Sequence, residues 1–241
     1  MGIYFLVPVY NESENVVDLS KCLLSALKGY DKFYVFVDDC STDRTISIIN
    51  EQFSGYNYHI ITKDKNLGPG DSFNRGFEWI LNHSKDINDI IVTLEGDNTS
   101  DIQLLPQMVS ISTLGFDIVL ASVYAQGGGF EKTNIVRKLI SFFANMIFRS
   151  LFNIKILTLS SFYRVYKIKI IEDIRNRYGT IVSEKGFISM LEILIKAINL
   201  KSSIIEVPMI LKSSKRKGKS KIKIFKTGLG YIRFLIKFKI N

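Results

Sequence analysis

"IYFLVPVYNESENVVDLSKCLLSALKGYDKFYVFVDD", Ile3 to Asp39, holds two apolar runs on either side of a longer amphipathic stretch. The runs are "IYFLVPV" (3–9) and "FYVFVDD" (33–39), and Asn11 to Lys28 between them reads as a helix. Neither run alternates, so each is expected to be buried on both faces. Strand–helix alternation implies a parallel sheet covered by helices on both sides. The pattern recurs: "YHIIT" (58–62) precedes "PGDSFNRGFEWILNH" (69–83), "DIIVTLE" (89–95) precedes "DIQLLPQMVSIST" (101–113), and "FDIVLAS" (116–122) follows. The expected fold is α/β, a Rossmann-like, mostly parallel sheet flanked by helices. In such sheets the ligand sits outside the carboxyl ends of the strands.

Polar clusters fall at those ends. Tyr10, Asn11 and Glu12 follow the first strand, Asp38 and Asp39 close the second, and Glu95, Gly96 and Asp97 close the fourth. Turns into helices need polar residues anyway, which accounts for any one cluster. Three acidic clusters on one rim repel each other unless a cation or donor groups lie between them. In an extended segment Glu95 and Asp97 point the same way and can share a hard divalent cation, Mg²⁺ or Mn²⁺. Gly96 between them lets a ligand approach the backbone, and a nucleoside diphosphate would complete the coordination. In "STDRT" (41–45), Ser41 or Thr42 can cap a helix and Asp43 suits its first turn. "NLGPGDSFNRG" (66–76) is a glycine-rich helix entry, but no Lys-Ser/Thr follows the glycines, so a P-loop reading fails. The dinucleotide fingerprint is absent after the first strand.

Composition narrows the classes. A chain of 241 residues, 46% hydrophobic and 23% charged, suits one large domain or one domain with a short appendage. Cys22 and Cys40 have no metal or redox spacing and read as reduced structural thiols. With two histidines, a His-based metal site or a Ser-His-Asp triad is not expected. The net charge of +9 is unevenly spread. Eleven Lys/Arg and no Asp/Glu fall after Leu211, while the first 211 residues hold 21 basic and 23 acidic side chains. We therefore divide the chain into a body, 1–211, and a basic segment, 212–241. On a helical wheel Ile222, Phe225, Leu229, Ile232, Ile236 and Ile240 form one stripe beside Lys219, Lys223, Lys226, Arg233 and Lys237. That C-terminal amphipathic helix suits an anionic membrane surface or a membrane-protein partner. Nucleic acid is not expected, because no nucleic-acid module accompanies the charge. "LISFFANMIFRSLFNI" (139–154) reads equally as a core or partner-facing helix and as a membrane-facing one. No signal peptide is legible at the start, and no apolar run approaches the ~20 residues needed to span a bilayer.

Taken together, these stretches resemble the family 2 glycosyltransferases, in particular the dolichol-phosphate mannosyltransferase-like polyprenyl-phosphate sugar synthases. The matching elements are "VPVYNESENV" (7–16), "VDDCSTDRT" (37–45), "NLGPGDSFNRG" (66–76), "LEGDNTSD" (94–101), "RKLISFFAN" (137–145), "SSFYRVYK" (160–167), "SEKGFISMLEIL" (183–194) and "EVPMILKSSKRKGKSK" (206–221). They occur in order over nearly the whole chain. The resemblance implies a GT-A type fold and an inverting, metal-dependent transfer of a sugar from GDP-mannose or a UDP-hexose to a polyprenyl phosphate. It implies that Pro8, Tyr10 and Glu12 hold the nucleoside end with Asp38 and Asp39, and that Glu95 and Asp97 bind Mg²⁺ or Mn²⁺. Arg137, Lys215 or Arg216, and Ser220 with Lys221 would meet phosphates of donor or acceptor. The expected location is cytoplasmic, peripheral on the cytoplasmic face of the membrane.

The departures from the family pattern cluster on the acceptor side. Glu95 stands where the metal motif has Asp, Ser122-Val123-Tyr124 lacks an arginine, and Thr158 and Phe162 replace an aspartate and a glycine. Two rival readings follow: transfer to a glycan hydroxyl in cell-surface polysaccharide synthesis, and a nucleotide-sugar-binding protein with weak catalysis. A phosphate acceptor is already ionised near neutrality and needs no strong base, whereas a hydroxyl does. Glu184 and Glu192 are candidate bases, though an ordinary place on a helix surface is the preferred reading of either.

Overall fold

The computed structural model describes residues 1–133, 135–186 and 188–218. The expected amphipathic helix over 222–240, with Ser220 and Lys221, lies outside the described residues. Seven strands form one sheet in the order β3-β2-β1-β4-β7-β5-β8. They are β1 (Ile3–Val9), β2 (Lys32–Asp38), β3 (Tyr58–Thr62), β4 (Ile90–Thr93), β5 (Ile118–Ser122), β7 (Arg164–Lys167) and β8 (Ile204–Pro208). All neighbouring pairs are parallel except those of β7, which lies antiparallel between β4 and β5. Short strands β6 (Gly129–Glu131) and β9 (Ile210–Lys212) pair beside it.

Non-alternating strands give two cores, one on each face. On one, Leu6 of β1 and Val35 of β2 belong to a cluster with Phe73 and Phe77 of α3 (Pro69–His83), Ile171 of α6 (Ile168–Tyr178) and Leu191 of α7 (Ile188–Asn199). On the other, Phe5, Val7 and Phe36 join Leu19 of α1 (Ser13–Ser25), Ile49 of α2 (Thr45–Gln52) and Met108 of α4 (Leu105–Thr113). Burying each such side chain contributes roughly 1.5–3 kcal/mol, which is why runs without alternation persist as strands. The remaining helix, α5 (Ile135–Leu151), follows β6.

The strand register builds one rim. Val9 pairs with Asp38, so Tyr10 to Glu12 emerge beside Asp39. Leu6 pairs with Thr93, and the chain beyond Thr93 then runs on beside the end of β1. An added Cβ on Gly96 would lie 3.2 Å from Pro8 O and from Val9 Cγ1. The missing side chain therefore lets the two strand ends close on each other.

Three expectations change. β4 ends at Thr93, not Glu95, because its ladder with β7 stops at Thr93–Arg164. Glu95 and Asp97 thus lie in a turn, and the alternation of an extended segment does not govern them. Helix α2 begins at Thr45 with no side-chain cap, so Ser41 and Thr42 do other work. The glycine-rich entry to α3 serves packing: a Cβ on Gly70 would fall 1.8 Å from Glu184 O, and Gly70 N–H donates to Lys185 O at 2.9 Å.

Candidate active site

Three non-glycine residues with left-handed backbone lie in the loops that follow three strands: Asn11 (φ 50°) after β1, Cys40 (φ 66°) after β2 and Asn98 (φ 63°) after β4. Such backbone costs on the order of 1 kcal/mol or more each and persists only where surrounding bonds fix it. Here they do. Asn11 N–H donates to Ser41 Oγ and Thr42 N–H to Asn11 Oδ1, both at 2.8 Å. Glu12 N–H donates to Thr45 Oγ1 at 2.8 Å, and Ser13 N–H to Asp43 Oδ2 at 3.2 Å. "STDRT" is therefore a cross-brace between two loops. Burial pushes the Asp43 carboxyl up, but hydrogen bonds from Thr45 and Ser13 outweigh it and leave Asp43 below the usual range.

The two aspartates after β2 differ. Asp39 accepts from Leu67 N–H and Gly68 N–H at 2.8 Å each and pairs with the Lys63 ammonium at 2.6 Å. Lys63, only 1% exposed, also reaches Asp71 and Ser72. Asp39 is thus committed to holding the glycine-rich entry. Asp38 Oδ2 accepts from Ser41 N–H at 3.0 Å, while its Oδ1 is buried with no hydrogen-bond partner among the described residues. An unpaired buried acceptor is costly, so of this pair it is Asp38 Oδ1 that has acceptor capacity to spare. Pro8 is half-buried at the end of β1, and Glu12 Oε2 accepts from Asn15 Nδ2 at 2.6 Å.

Glu95 and Asp97 face different neighbours. Glu95 accepts from Ser100 Oγ and, at 3.3 Å, from Phe162 N–H. Burial pushes its carboxyl above the usual range and the charge of Asp97 adds to this, with Ser100 partly offsetting both. No Lys or Arg among the described residues lies within ion-pair distance of it. Asp97 Oδ1 accepts from Thr99 N–H and Oγ1, and Asp97 Oδ2 takes the Arg216 guanidinium, with Nε at 2.6 Å. No group of three or more His, Cys, Asp or Glu among the described residues converges to hold a metal. The donor set is two carboxylates, one desolvated without a cation and one paired with arginine. It suits a hard divalent ion whose shell is completed by a ligand's oxygens.

The segment after β9 lies across this turn. Lys212 N–H donates to Thr99 O and its ammonium pairs with Asp101 at 2.8 Å. Asn15 brackets Lys217, accepting from its N–H at 2.9 Å and donating to its carbonyl at 3.1 Å. Lys217 also pairs with Asp18 at 2.7 Å. Lys215 is exposed on a single 3-10 turn. Arg137 lies in α5, its side chain outside the described set.

On the other side, Arg164 is fully buried and holds a loop by its carbonyls. It donates to Leu159 O at 2.7 Å, Ser161 O at 2.8 Å and Met190 O at 2.9 Å. Thr93 Oγ1 donates to Phe162 O, so the loop presents Phe162 N–H to Glu95. Thr158, one of the unusual positions, shares a buried hydroxyl bond of 2.7 Å with Ser122. Glu192 is not on a helix surface: it is 1% exposed, accepts from Ser183 and Glu184 N–H, and pairs with Lys196 at 2.8 Å. Sequence reasoning gave no role to Asn15, Lys63, Arg164 or Lys212. Asn15, Arg164 and Lys212 stand inside the matching motifs, which was the one available signal.

Residues 4–175 match the family described as "Glycosyl transferase family 2". Over 238 residues, 98% of the chain, it is 31% identical to a dolichol-phosphate mannosyltransferase of Pyrococcus furiosus, and it spans 63% of that protein's length. It is 25% identical over 206 residues to a polyprenol monophosphomannose synthase of Mycolicibacterium smegmatis, covering 85% of this chain and 75% of that one. Among solved structures, glucosyl-3-phosphoglycerate synthase of Mycobacterium tuberculosis, in complex with Mn²⁺, UDP and glucosyl-3-phosphoglycerate, superposes with a TM-score of 0.68. That likeness, at 13% identity, covers 96% of this chain and 76% of that one, and shows a shared fold of the GT-A type.

Proposed function

The chain belongs to glycosyl transferase family 2, and from that premise we propose that it moves a hexose from a nucleotide-sugar to a polyprenyl phosphate with inversion. The observation that carries the reading is the rim itself, where Asp38 Oδ1 has no hydrogen-bond partner among the described residues, Glu95 is desolvated without a cation beside it, and Asp97 pairs with Arg216 of the basic segment. Both relatives, by their names, make polyprenyl-linked mannose or use dolichol phosphate, which supports a lipid phosphate acceptor.

In this reading Glu95 and Asp97 hold Mg²⁺ or Mn²⁺, and the ion supplies positive charge that stabilises the departing diphosphate. Asp38 Oδ1 accepts a hydrogen bond from the nucleoside, next to the loop of Pro8, Tyr10 and Glu12, and Asp39 keeps that side of the pocket in shape. Gly96 keeps the metal turn against β1. Arg216 exchanges its bond to Asp97 for contact with phosphate oxygens, which match its fork of donors. Lys215, Arg137, Ser220 and Lys221 are proposed as further phosphate contacts. Acceptor attack from the face opposite the leaving group inverts the anomeric centre. A phosphate acceptor needs no general base. In keeping with that, Glu192 is occupied by Lys196 and the 183–184 amides. Both histidines stack on Trp79. His59 stands near the start of β3, the end away from the rim.

The segment after Leu211 is proposed to act in two parts: 212–218 on the donor side, and 222–241 on an anionic membrane surface, which makes the protein peripheral. Among the described residues no helix is long and apolar enough to cross a membrane. Incubation with radiolabelled GDP-mannose or UDP-glucose and polyprenyl phosphate tests the reading. A mild-acid-labile lipid product is expected, an acid-stable glycan would replace the acceptor assignment, and no metal-dependent nucleoside diphosphate release would remove the catalytic one.

A further inference from the structure

We propose that Asn15 is a positioning residue: it clamps the 212–218 segment across the turn that carries Asp97, and so sets where Arg216 meets a diphosphate. Asn15 lies in the first turn of α1 and is 2% exposed. A buried polar side chain is costly unless bonded, and an apolar residue would suit the helix better. Only one of its side-chain bonds stays local. Nδ2 donates to Glu12 Oε2 at 2.6 Å and to Lys217 O at 3.1 Å, while Oδ1 accepts from Lys217 N–H at 2.9 Å. Both amide hydrogens are used, and the orientation of the amide is fixed, because reversing it would set an oxygen against a carboxylate and a carbonyl. The main-chain carbonyl of Asn15 accepts from Asn98 Nδ2 at 2.9 Å. One residue therefore ties the loop after β1, the turn after β4 and the basic segment.

The segment is held at two points. At its start Lys212 N–H donates to Thr99 O at 3.0 Å, and the Lys212 ammonium pairs with Asp101. At its end stands Asn15. Its paired bonds take the backbone of Lys217 rather than the side chain, so they fix the path of the chain. Arg216, one residue earlier, then reaches Asp97, and Gly218, one residue later, turns away with φ 82°. The Lys217–Asp18 ion pair at the same end has side chains 53% and 47% exposed, and such a pair contributes little. Without Asn15 the end of the segment swings, and Arg216 must be ordered when the ligand arrives, which lowers affinity. Held in advance, the guanidinium stands beside Asp97 and beside any oxygens bound there. An aspartate at position 15 would repel Glu12 and leave Lys217 O without a donor. The inference rests on the reading of a nucleotide diphosphate at Glu95 and Asp97, and adds the residue that sets the reach of its arginine.

Hydrogen exchange in the ligand-free full chain reads the clamp directly. Asn15→Ala should speed exchange of the Lys217 amide roughly tenfold, with the Leu19 and Leu23 amides of α1 unchanged. Lys217→Pro removes the same N–H from an exposed part of the segment, so it covers the case in which Asn15→Ala loses the fold. Titration of UDP and of GDP with Mn²⁺ reads the consequence. Each variant should weaken binding of the preferred nucleotide roughly tenfold. In an Arg216→Gln background neither variant should change that affinity by more than about twofold, because the arginine being positioned is gone. A residue that served only the stability of α1 would weaken both backgrounds alike, and that result would overturn the proposal. Unchanged exchange at Lys217 in Asn15→Ala would overturn it too. If exchange responds as expected while the wild-type chain binds neither nucleotide with Mn²⁺, the donor reading fails and the clamp stands.

Discussion

Both carboxylate oxygens of Asp39 are held by Leu67 N–H, Gly68 N–H and Lys63, a bond set that no spacing in the sequence announces. A buried lysine carries no periodic signal, and its partner lies 24 residues away. Lys63→Met leaves Asp39 with an uncompensated buried charge and should cost about 3–5 kcal/mol in urea unfolding. Adding Asp39→Asn should recover much of that loss. Asp43 offers a pH readout. Its folded carboxyl titrates below its unfolded value, so it stabilises the fold above the usual carboxylate range and loses that contribution as pH falls through its depressed folded value. Asp43→Asn should therefore lower the melting temperature at neutral pH, and the gap from wild type should close in acid. Glu95, Asp97 and Asp38 were legible because strand ends in a parallel sheet define where to look. The Arg216–Asp97 pair was not, because it joins residues 119 apart through a turn that only the fold brings together.

Among elements, the parallel strands β1 to β5 were legible from their unbroken apolar runs, and their ends shifted by only a residue or two. β7 was not. "RVYK" buries Arg164 completely, so its pattern imitates a polar turn, and its antiparallel place follows from pairing with β4 and β5. β6 and β9 are three residues each and owe their existence to one another. The glycine-rich entry lacks the Lys-Ser/Thr of a P-loop, and the purpose of its glycines appears only in the packing of α3 against the 184–185 backbone. Gly70→Ala forces a Cβ into Glu184 O and should cost about 1–3 kcal/mol or more, read by denaturant midpoint.

For the whole molecule, the separation of a near-neutral body from a basic C-terminal segment decides how it meets its surroundings. Deleting 222–241 removes five Lys/Arg, each worth about 1 kcal/mol near an anionic surface, so vesicle binding should fall at least tenfold and lose much of its salt dependence. The same charge balance frames the site, where carboxylates of the body meet Lys212, Arg216 and Lys217 of that segment. The central claim is that Glu95 and Asp97 grip a divalent ion that receives the nucleotide's diphosphate. Isothermal titration of UDP and of GDP into the full chain, with Mn²⁺ and then with chelator, tests it most directly. Tight binding of one nucleotide with Mn²⁺, lost in chelator and in Asp97→Ala, is the predicted result; equal affinity in chelator would contradict it.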